Sequence, residues 1–473
     1  MIGEGRTREV GTSVRQAQDD ASSLRRSLRW PHLIALGVGA IVGTGILTLI
    51  GVGAGKAGPA VIVSFAIAGA ICACAALAYA ELATMMPMSG SAYSYTRTTL
   101  GRTAGWIVGW SLILEYSLVV SAVAVGWSGY AAPLLHSALG IPIEFMKGPE
   151  LGGFVNVPAA VIVGLVAALL TAGTRESATF NALLVVLKIL ALGVFVAVAL
   201  PHFDMANMHP FSPYGFAKTS AADGVERGVM AAAAIIFFAF YGFDAIATAA
   251  EETIDPARDL PIGIVGSMAV CIAIYVAVAA AAIGALPFTR FASSPEPLAL
   301  VLRQIGSPTA ALVLGVSAVI ALPTVILAFF FGQSRIFLAM ARDGLLPRAL
   351  ATISRRGTPV RITVFTALVV GTIAALFPLD EIAALANAGT LLAFAAVGLC
   401  LMVQRRRDPH RARPFRVPAA PLVGTIAVCG CAYLFASLPE RTQIYFGAWN
   451  GVGVILFLAI SSSTRRRSAR GAS

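Results

Sequence analysis

Apolar stretches of about 20 residues recur along the 473-residue chain between short polar connectors, each long enough to cross a hydrocarbon core about 30 Å thick. Twelve spans are predicted, at 33–53, 59–86, 104–135, 157–172, 181–200, 228–250, 262–286, 309–340, 362–377, 381–403, 422–438 and 445–462. The pattern is that of an all-α polytopic membrane protein. The third and eighth stretches are long enough that either could hide an extra break.

Two spans interrupt this regularity. The first carries six glycines, Gly37, Gly39, Gly43, Gly45, Gly51 and Gly53. Glycine costs about 1 kcal/mol against alanine within a helix, so Gly43-Thr44-Gly45-Ile46 is expected to unwind at mid-membrane depth. Unwound backbone cannot face lipid and must line a cavity. A second interruption, Phe237-Phe238-Ala239-Phe240-Tyr241-Gly242-Phe243-Asp244, lies in the sixth span. Five spans reverse the topology, so the two breaks predict an inverted repeat, 31–200 against 228–404, with a site where the breaks meet. The competing reading is that Gly242 merely permits close helix packing.

Such a site has a preferred ligand chemistry. Amides at Thr44, Gly45 and Ile46 open a half-helix whose positive end suits a carboxylate. Carbonyls near Ile41 and from Phe237 through Ala239 to Phe240 suit an ammonium group. An α-amino acid is the simplest molecule that satisfies both, although other anions remain open on this argument alone.

Charge placement adds orientation. Of the 34 Lys and Arg residues, 26 fall in the tails and the loops on one side, which the positive-inside rule makes cytoplasmic, together with both termini. The net charge of +11 is therefore mostly topology, and a nucleic-acid partner is not expected. The segment 1–30 reads as a cytoplasmic tail without a cleavable signal, 405–420 as a basic cytoplasmic loop, 421–463 as a final pair of spans and 464–473 as a second tail. All six cysteines lie in apolar spans and read as packing residues, and the five histidines form no metal cluster. No cofactor is expected.

Four ionisable residues lie well inside spans, where each costs at least about 2.5 kcal/mol. Lys188 is too deep to snorkel, which makes it either a replacement for a coupling cation or a helix-bridging cation held by carbonyls. Glu115 faces either a substrate or a proton path, or else a structural hydrogen bond. Glu81, near the cytoplasmic end of its span, reads as a gate or packing residue, and Asp244 as a fixture of the broken sixth span. Asp380 and Glu381 read as interfacial.

Several motifs together give the chain a family resemblance. They are Gly37-Val38-Gly39-Ala40-Ile41-Val42-Gly43-Thr44-Gly45-Ile46, Pro87-Met88-Ser89-Gly90-Ser91-Ala92-Tyr93, Leu114-Glu115-Tyr116, Gly242-Phe243-Asp244 and Asp255-Pro256-Ala257-Arg258-Asp259-Leu260-Pro261. Ser334-Arg335, the run from Ala339 to Pro347, and Arg413-Pro414-Phe415-Arg416-Val417-Pro418 complete the set. The chain resembles the amino acid-polyamine-organocation superfamily, and within it bacterial members of the cationic amino acid transporter family. The resemblance implies a LeuT-type fold of five plus five inverted spans with two further helices. It also implies alternating-access amino acid transport across a bacterial cytoplasmic membrane. The substrate carboxylate would meet Gly43 to Ile46, and its amino group the carbonyls of Ile41 and Phe237 to Phe240. Lys188 matches a lysine that stands where sodium-coupled relatives bind their ion, which implies coupling to protons, or uncoupled exchange, and no sodium. Glu115 matches a glutamate typical of the family.

In this fold the eighth span lines the side-chain pocket, which places Phe329 against the substrate. A phenylalanine there narrows the pocket and favours small neutral amino acids over arginine or lysine. Lipid-facing or core packing is the alternative for Phe329, and Pro323 is expected to kink the span. The resulting expectation is a proton symporter of small neutral amino acids. A cationic amino acid transporter or an exchanger is the runner-up. A membrane sensor is remote, since no polar segment is long enough for an output domain, and neither an enzyme's catalytic cluster nor a channel filter is evident.

Overall fold

The computed structural model describes residues 28–88, 90–172, 178–220, 224–342, 345 and 360–470. Eight of its helices are long and apolar enough to cross a membrane, and four shorter apolar helices accompany them. Every predicted span is met by helix. The first span is assembled from three pieces, α1 (Trp30–Ile41), α2 (Thr44–Leu47) and α3 (Leu49–Ala57), and the second is α4 (Val61–Met85). Although 49–85 forms a continuous apolar stretch, α3 and α4 run in opposite directions. Lys56 near the end of α3 and Ser64 near the start of α4 sit level with the sixth-span start, through Gly228 N to Lys56 O at 2.9 Å and Ser64 Oγ to Val229 O at 2.8 Å. Gly45, ahead of α3, and Cys72, midway along α4, sit level with Ala239 and Phe240.

A loop helix that the hydropathy pattern did not predict, α5 (Ser91–Leu100), precedes the third span, α6 (Arg102–Leu139). The fourth and fifth spans are α7 (Val157–Thr171) and α8 (Ala178–Ala199). The loop after α8 closes with a two-stranded antiparallel hairpin, β1 (Thr219–Ser220) and β2 (Glu226–Arg227). The sixth span is α9 (Val229–Ile236), a 3₁₀ turn over Phe237–Phe240 and α10 (Asp244–Thr248), followed by the seventh, α11 (Pro256–Ala285). A short helix, α12 (Pro297–Gln304), leads to the eighth and ninth spans, α13 (Pro308–Arg342) and α14 (Val360–Leu376). The tenth to twelfth are α15 (Leu379–Arg407), α16 (Ala420–Ala436) and α17 (Glu440–Arg470).

Neither long span hides a break: α6 and α13 are each a single helix. Pro323, expected to kink the eighth span, sits inside unbroken α13. Proline removes the amide that would bond the carbonyl four residues back, here Val319. Trp127 on α6 supplies the missing donor, its Nε1 lying 2.9 Å from that carbonyl. The basic loop is also shorter than expected, because α15 continues through Arg407, and α17 carries helix into the segment read as a terminal tail.

The second span packs on the seventh and the third on the eighth, while α15 lies against α6 and α16. Large apolar side chains such as Leu183, Leu190, Leu368 and Ile455 point outward, as lipid-facing positions do.

Candidate functional site

Both predicted breaks are present and they interlock. Val42 is extended and Gly43 leaves helical geometry before α2 begins at Thr44, so the amides of Thr44, Gly45 and Ile46 open a new helical turn without intrahelical acceptors. A second irregularity follows at Thr48, which the sequence did not suggest. In the sixth span the 3₁₀ turn ends at extended Tyr241, and Gly242 takes φ +118° before α10 starts. That backbone is accessible to glycine and strained for other residues, so Gly242 does more than permit close packing. A Cβ there would also lie 2.9 Å from the Ala40 carbonyl carbon. Gly45 makes the reciprocal approach, since a side chain would collide with Ala239. The two breaks therefore cross antiparallel, residues 40 and 45 facing 242 and 239.

The carbonyls freed by these breaks already have some donors. Tyr275 on α11 donates to the Ile41 carbonyl at 2.8 Å, and the Cys72 thiol reaches the Phe240 carbonyl at 3.5 Å. Each carbonyl has a second lone pair. Tyr130 on α6 donates to the Leu47 carbonyl at 2.6 Å, steadying the short α2. The Thr44 side chain occupies a notch that only the absence of a Cβ at Gly126 leaves open.

Lys188 is buried, and its Nζ lies 2.9 Å from the Gly39 carbonyl, one turn before the first break. With Val42, Leu47, Ser317 and Ala321 it lines a cavity with room for about one water molecule. Of the two readings offered for this lysine, the carbonyl contact is therefore present, and a position beside the first break is as well.

Glu115 and Asp244 are buried on the other flank. Tyr116 donates to Asp244 Oδ2 at 2.7 Å, bridging the third span to the first turn after the sixth-span break. The Glu115 carboxyl lies against Gly389 on α15, next to Thr390, whose hydroxyl donates to the Ala386 carbonyl at 3.3 Å. Phe329 is 4% exposed, which excludes the lipid-facing alternative. Its ring stands edge-on to Tyr116 at 5.3 Å and to Tyr241 at 6.0 Å, so it closes the eighth-span side of the breaks. Phe238 also stands edge-on to Tyr241, at 4.8 Å.

Several buried polar atoms around this crossing have no hydrogen-bond partner among the described residues: Thr44 Oγ1, Glu115 Oε2, Tyr241 Oη, Gln333 Oε1 and Asn387 Oδ1. Buried polar groups are almost always satisfied, so a cluster of exceptions marks a place built to receive polar atoms from elsewhere. Sequence reading missed Tyr116, Tyr241, Tyr275 and Asn387. Tyr116 and Tyr241 lay within quoted motifs; nothing in the local pattern distinguished Tyr275 or Asn387.

Glu81 makes its contacts elsewhere. Arg405 grips its carboxylate with Nε at 2.8 Å and Nη2 at 2.6 Å, Arg413 adds an ion pair at 3.2 Å, and the Val417 amide donates at 2.8 Å. Of gate and packing, packing is what this geometry supports. The side chains of Ser334 and Arg335, together with residues 343–344 and 346–347 of the following motif, lie outside the described residues, as do 1–27.

Comparison with known proteins agrees with this architecture. The sequence model of the amino acid permease family matches residues 28–460. The branched-chain amino acid permease BcaP of Bacillus subtilis is 42% identical, over 94% of this chain and 95% of that protein. The methylthioribose transporter of the same organism is 38% identical over the same shares, 94% and 95%. Human cationic amino acid transporter 4 is 35% identical over 81% of this chain and 60% of its own length. With the family model covering nearly the whole chain, and the two broken spans crossing inside the bundle, the protein is a multi-pass membrane protein that belongs to the amino acid permease family of the amino acid-polyamine-organocation superfamily.

Proposed function

We propose that the protein carries neutral aliphatic amino acids across the bacterial cytoplasmic membrane by alternating access, driven by protons. The observation that carries this reading is the crossing of the two breaks. It sets amide-bearing and carbonyl-bearing helix ends together beside orphaned buried polar atoms, in the middle of an apolar bundle. A zwitterion satisfies both ends: its carboxylate the amides of Thr44, Gly45 and Ile46, its amino group the carbonyls of Ile41 and the 237–240 turn. Five-span spacing of the breaks supports an inverted repeat, and the one-sided placement of Lys and Arg supports both termini in the cytoplasm.

The side-chain preference follows from Phe329, Tyr116 and Tyr241, whose rings present an aromatic wall to that side of the crossing. Such a wall narrows the pocket, which suits alanine-to-leucine side chains better than the longer side chain of arginine. The naming of a 42% identical relative as a branched-chain amino acid permease supports the larger end of that range. The proton coupling rests on Lys188, an ammonium on the first-span backbone. A fixed charge there removes the need for a bound metal cation.

Uptake of labelled alanine, leucine and arginine into proteoliposomes, with and without an inward proton gradient, tests the reading. Accumulation of leucine or alanine only with the gradient supports it. Arginine uptake overturns the specificity, uptake that requires internal amino acid replaces symport with exchange, and uptake of none of the three overturns the function.

A further inference from the structure

Apart from the interfacial acids at its start, the tenth span carries no residue that hydropathy or motif singled out, yet it grips the sixth-span break. α9 ends at Ile236, where the chain tightens into a 3₁₀ turn and the last helical carbonyls lose their usual donors. The Phe237 amide takes the Ala233 carbonyl. The next two carbonyls, those of Ala234 and Ile235, both accept from Asn387 Nδ2 on α15, each at 2.8 Å. Asn387 is 0% exposed and its Oδ1 has no partner among the described residues. Two turns along the same face of α15, the Phe394 ring packs against Phe237 at 5.9 Å and Phe243 at 5.1 Å, one on each side of the break.

The choice of carbonyls is informative. Ala234 and Ile235 are the two that an uninterrupted α-helix would bond to the amides of Phe238 and Ala239. A side chain that satisfies them first removes the gain from continuing the helix. Otherwise the 237–240 segment would recover α-helical bonding and consume the carbonyls that the break exposes. Asparagine suits the task because one amide nitrogen carries two donor hydrogens.

We propose that Asn387 is a positioning residue for substrate binding, holding the sixth span unwound so that the 237–240 carbonyls face the substrate's amino group. The proposal rests on the amino acid transport reading above.

The test compares Asn387→Ala and Asn387→Ser with the unaltered protein in two measurements: leucine and alanine uptake in proteoliposomes, resolved into KM and kcat, and thermal unfolding in detergent. In Asn387→Ala the freed carbonyls regain backbone donors, so KM is expected to rise about tenfold or more while the melting temperature changes little. Asn387→Ser keeps one donor at shorter reach and is expected to show an intermediate KM. It also keeps the test alive if the alanine variant fails to insert. A lowered melting temperature with unchanged KM makes Asn387 a packing residue and overturns the proposal, as does a serine variant with the KM of the unaltered protein. Failure of the unaltered protein to take up either amino acid defeats the transport reading instead.

Discussion

Two buried glutamates meet opposite fates in this molecule. Glu81, at the end of α4, has its carboxylate closed by two arginines and a backbone amide, while Glu115, in the middle of α6, keeps one oxygen without a partner among the described residues. Both are fully removed from solvent exposure for practical purposes, at 0% and 2%. Burial therefore does not separate them, and hydrogen-bond completeness does. A satisfied buried charge holds structure and resists change, since separating it from its partners strands an ion in a low dielectric. An incompletely satisfied one can exchange partners during a cycle. The Glu81 clasp ties the second span to the end of the tenth and to the short loop up to Val417, whereas Glu115 sits between the third and tenth spans beside the crossing of the breaks.

The sharpest way to break this comparison is at the clasp. Glu81→Ala leaves Arg405 and Arg413 without their common anion, an effect expected to cost about 3–5 kcal/mol. The variant is expected to be recovered in much lower folded yield, read by size-exclusion profile and thermal unfolding in detergent. A variant that melts like the unaltered protein would move Glu81 from structure to function. Next in size is Lys188→Ala, which is expected to insert normally and to lose gradient-driven uptake. Unchanged pH-dependent uptake in proteoliposomes would remove the coupling role from Lys188.

Glu115→Gln tests the other half of the comparison. The amide has the same shape, so the melting temperature is expected to shift by the equivalent of about 1 kcal/mol at most. Uptake driven by a proton gradient is expected to fall while the protein stays folded. Loss of folded protein without a selective loss of uptake would instead place Glu115 in the same class as Glu81.

The breaks were legible in the sequence because a helix has few reasons to carry Gly43-Thr44-Gly45, or an aromatic run closed by Gly242, at mid-span depth. Lys188 was legible for the same reason: a lysine so far from either surface has no inexpensive explanation. What sequence could not supply was the identity of donors that arrive from distant spans. Trp127 repairs the bond that Pro323 removes, Tyr275 takes the Ile41 carbonyl, and Asn387 takes two more in the sixth span. Each pairing joins residues well over 100 positions apart. At Pro323 local chemistry announces a missing donor and says nothing about its replacement.

Phe329 sharpens the comparison at its smallest scale, since it bears on which side chain enters and leaves both glutamates in place. It is wedged between Tyr116, which holds Asp244, and Tyr241, whose hydroxyl has no partner among the described residues. Replacing it with serine opens the aromatic wall and adds a hydroxyl close to the two buried acids. Arginine uptake relative to leucine is expected to rise about tenfold, the scale on which a single pocket contact discriminates. Competition of unlabelled arginine against labelled leucine in proteoliposomes measures that ratio directly. If Phe329→Ser leaves the ratio unchanged, Phe329 supports the Tyr116–Asp244 contact without touching substrate. Specificity would then have to be sought at Phe238, the other ring that stands edge-on to Tyr241.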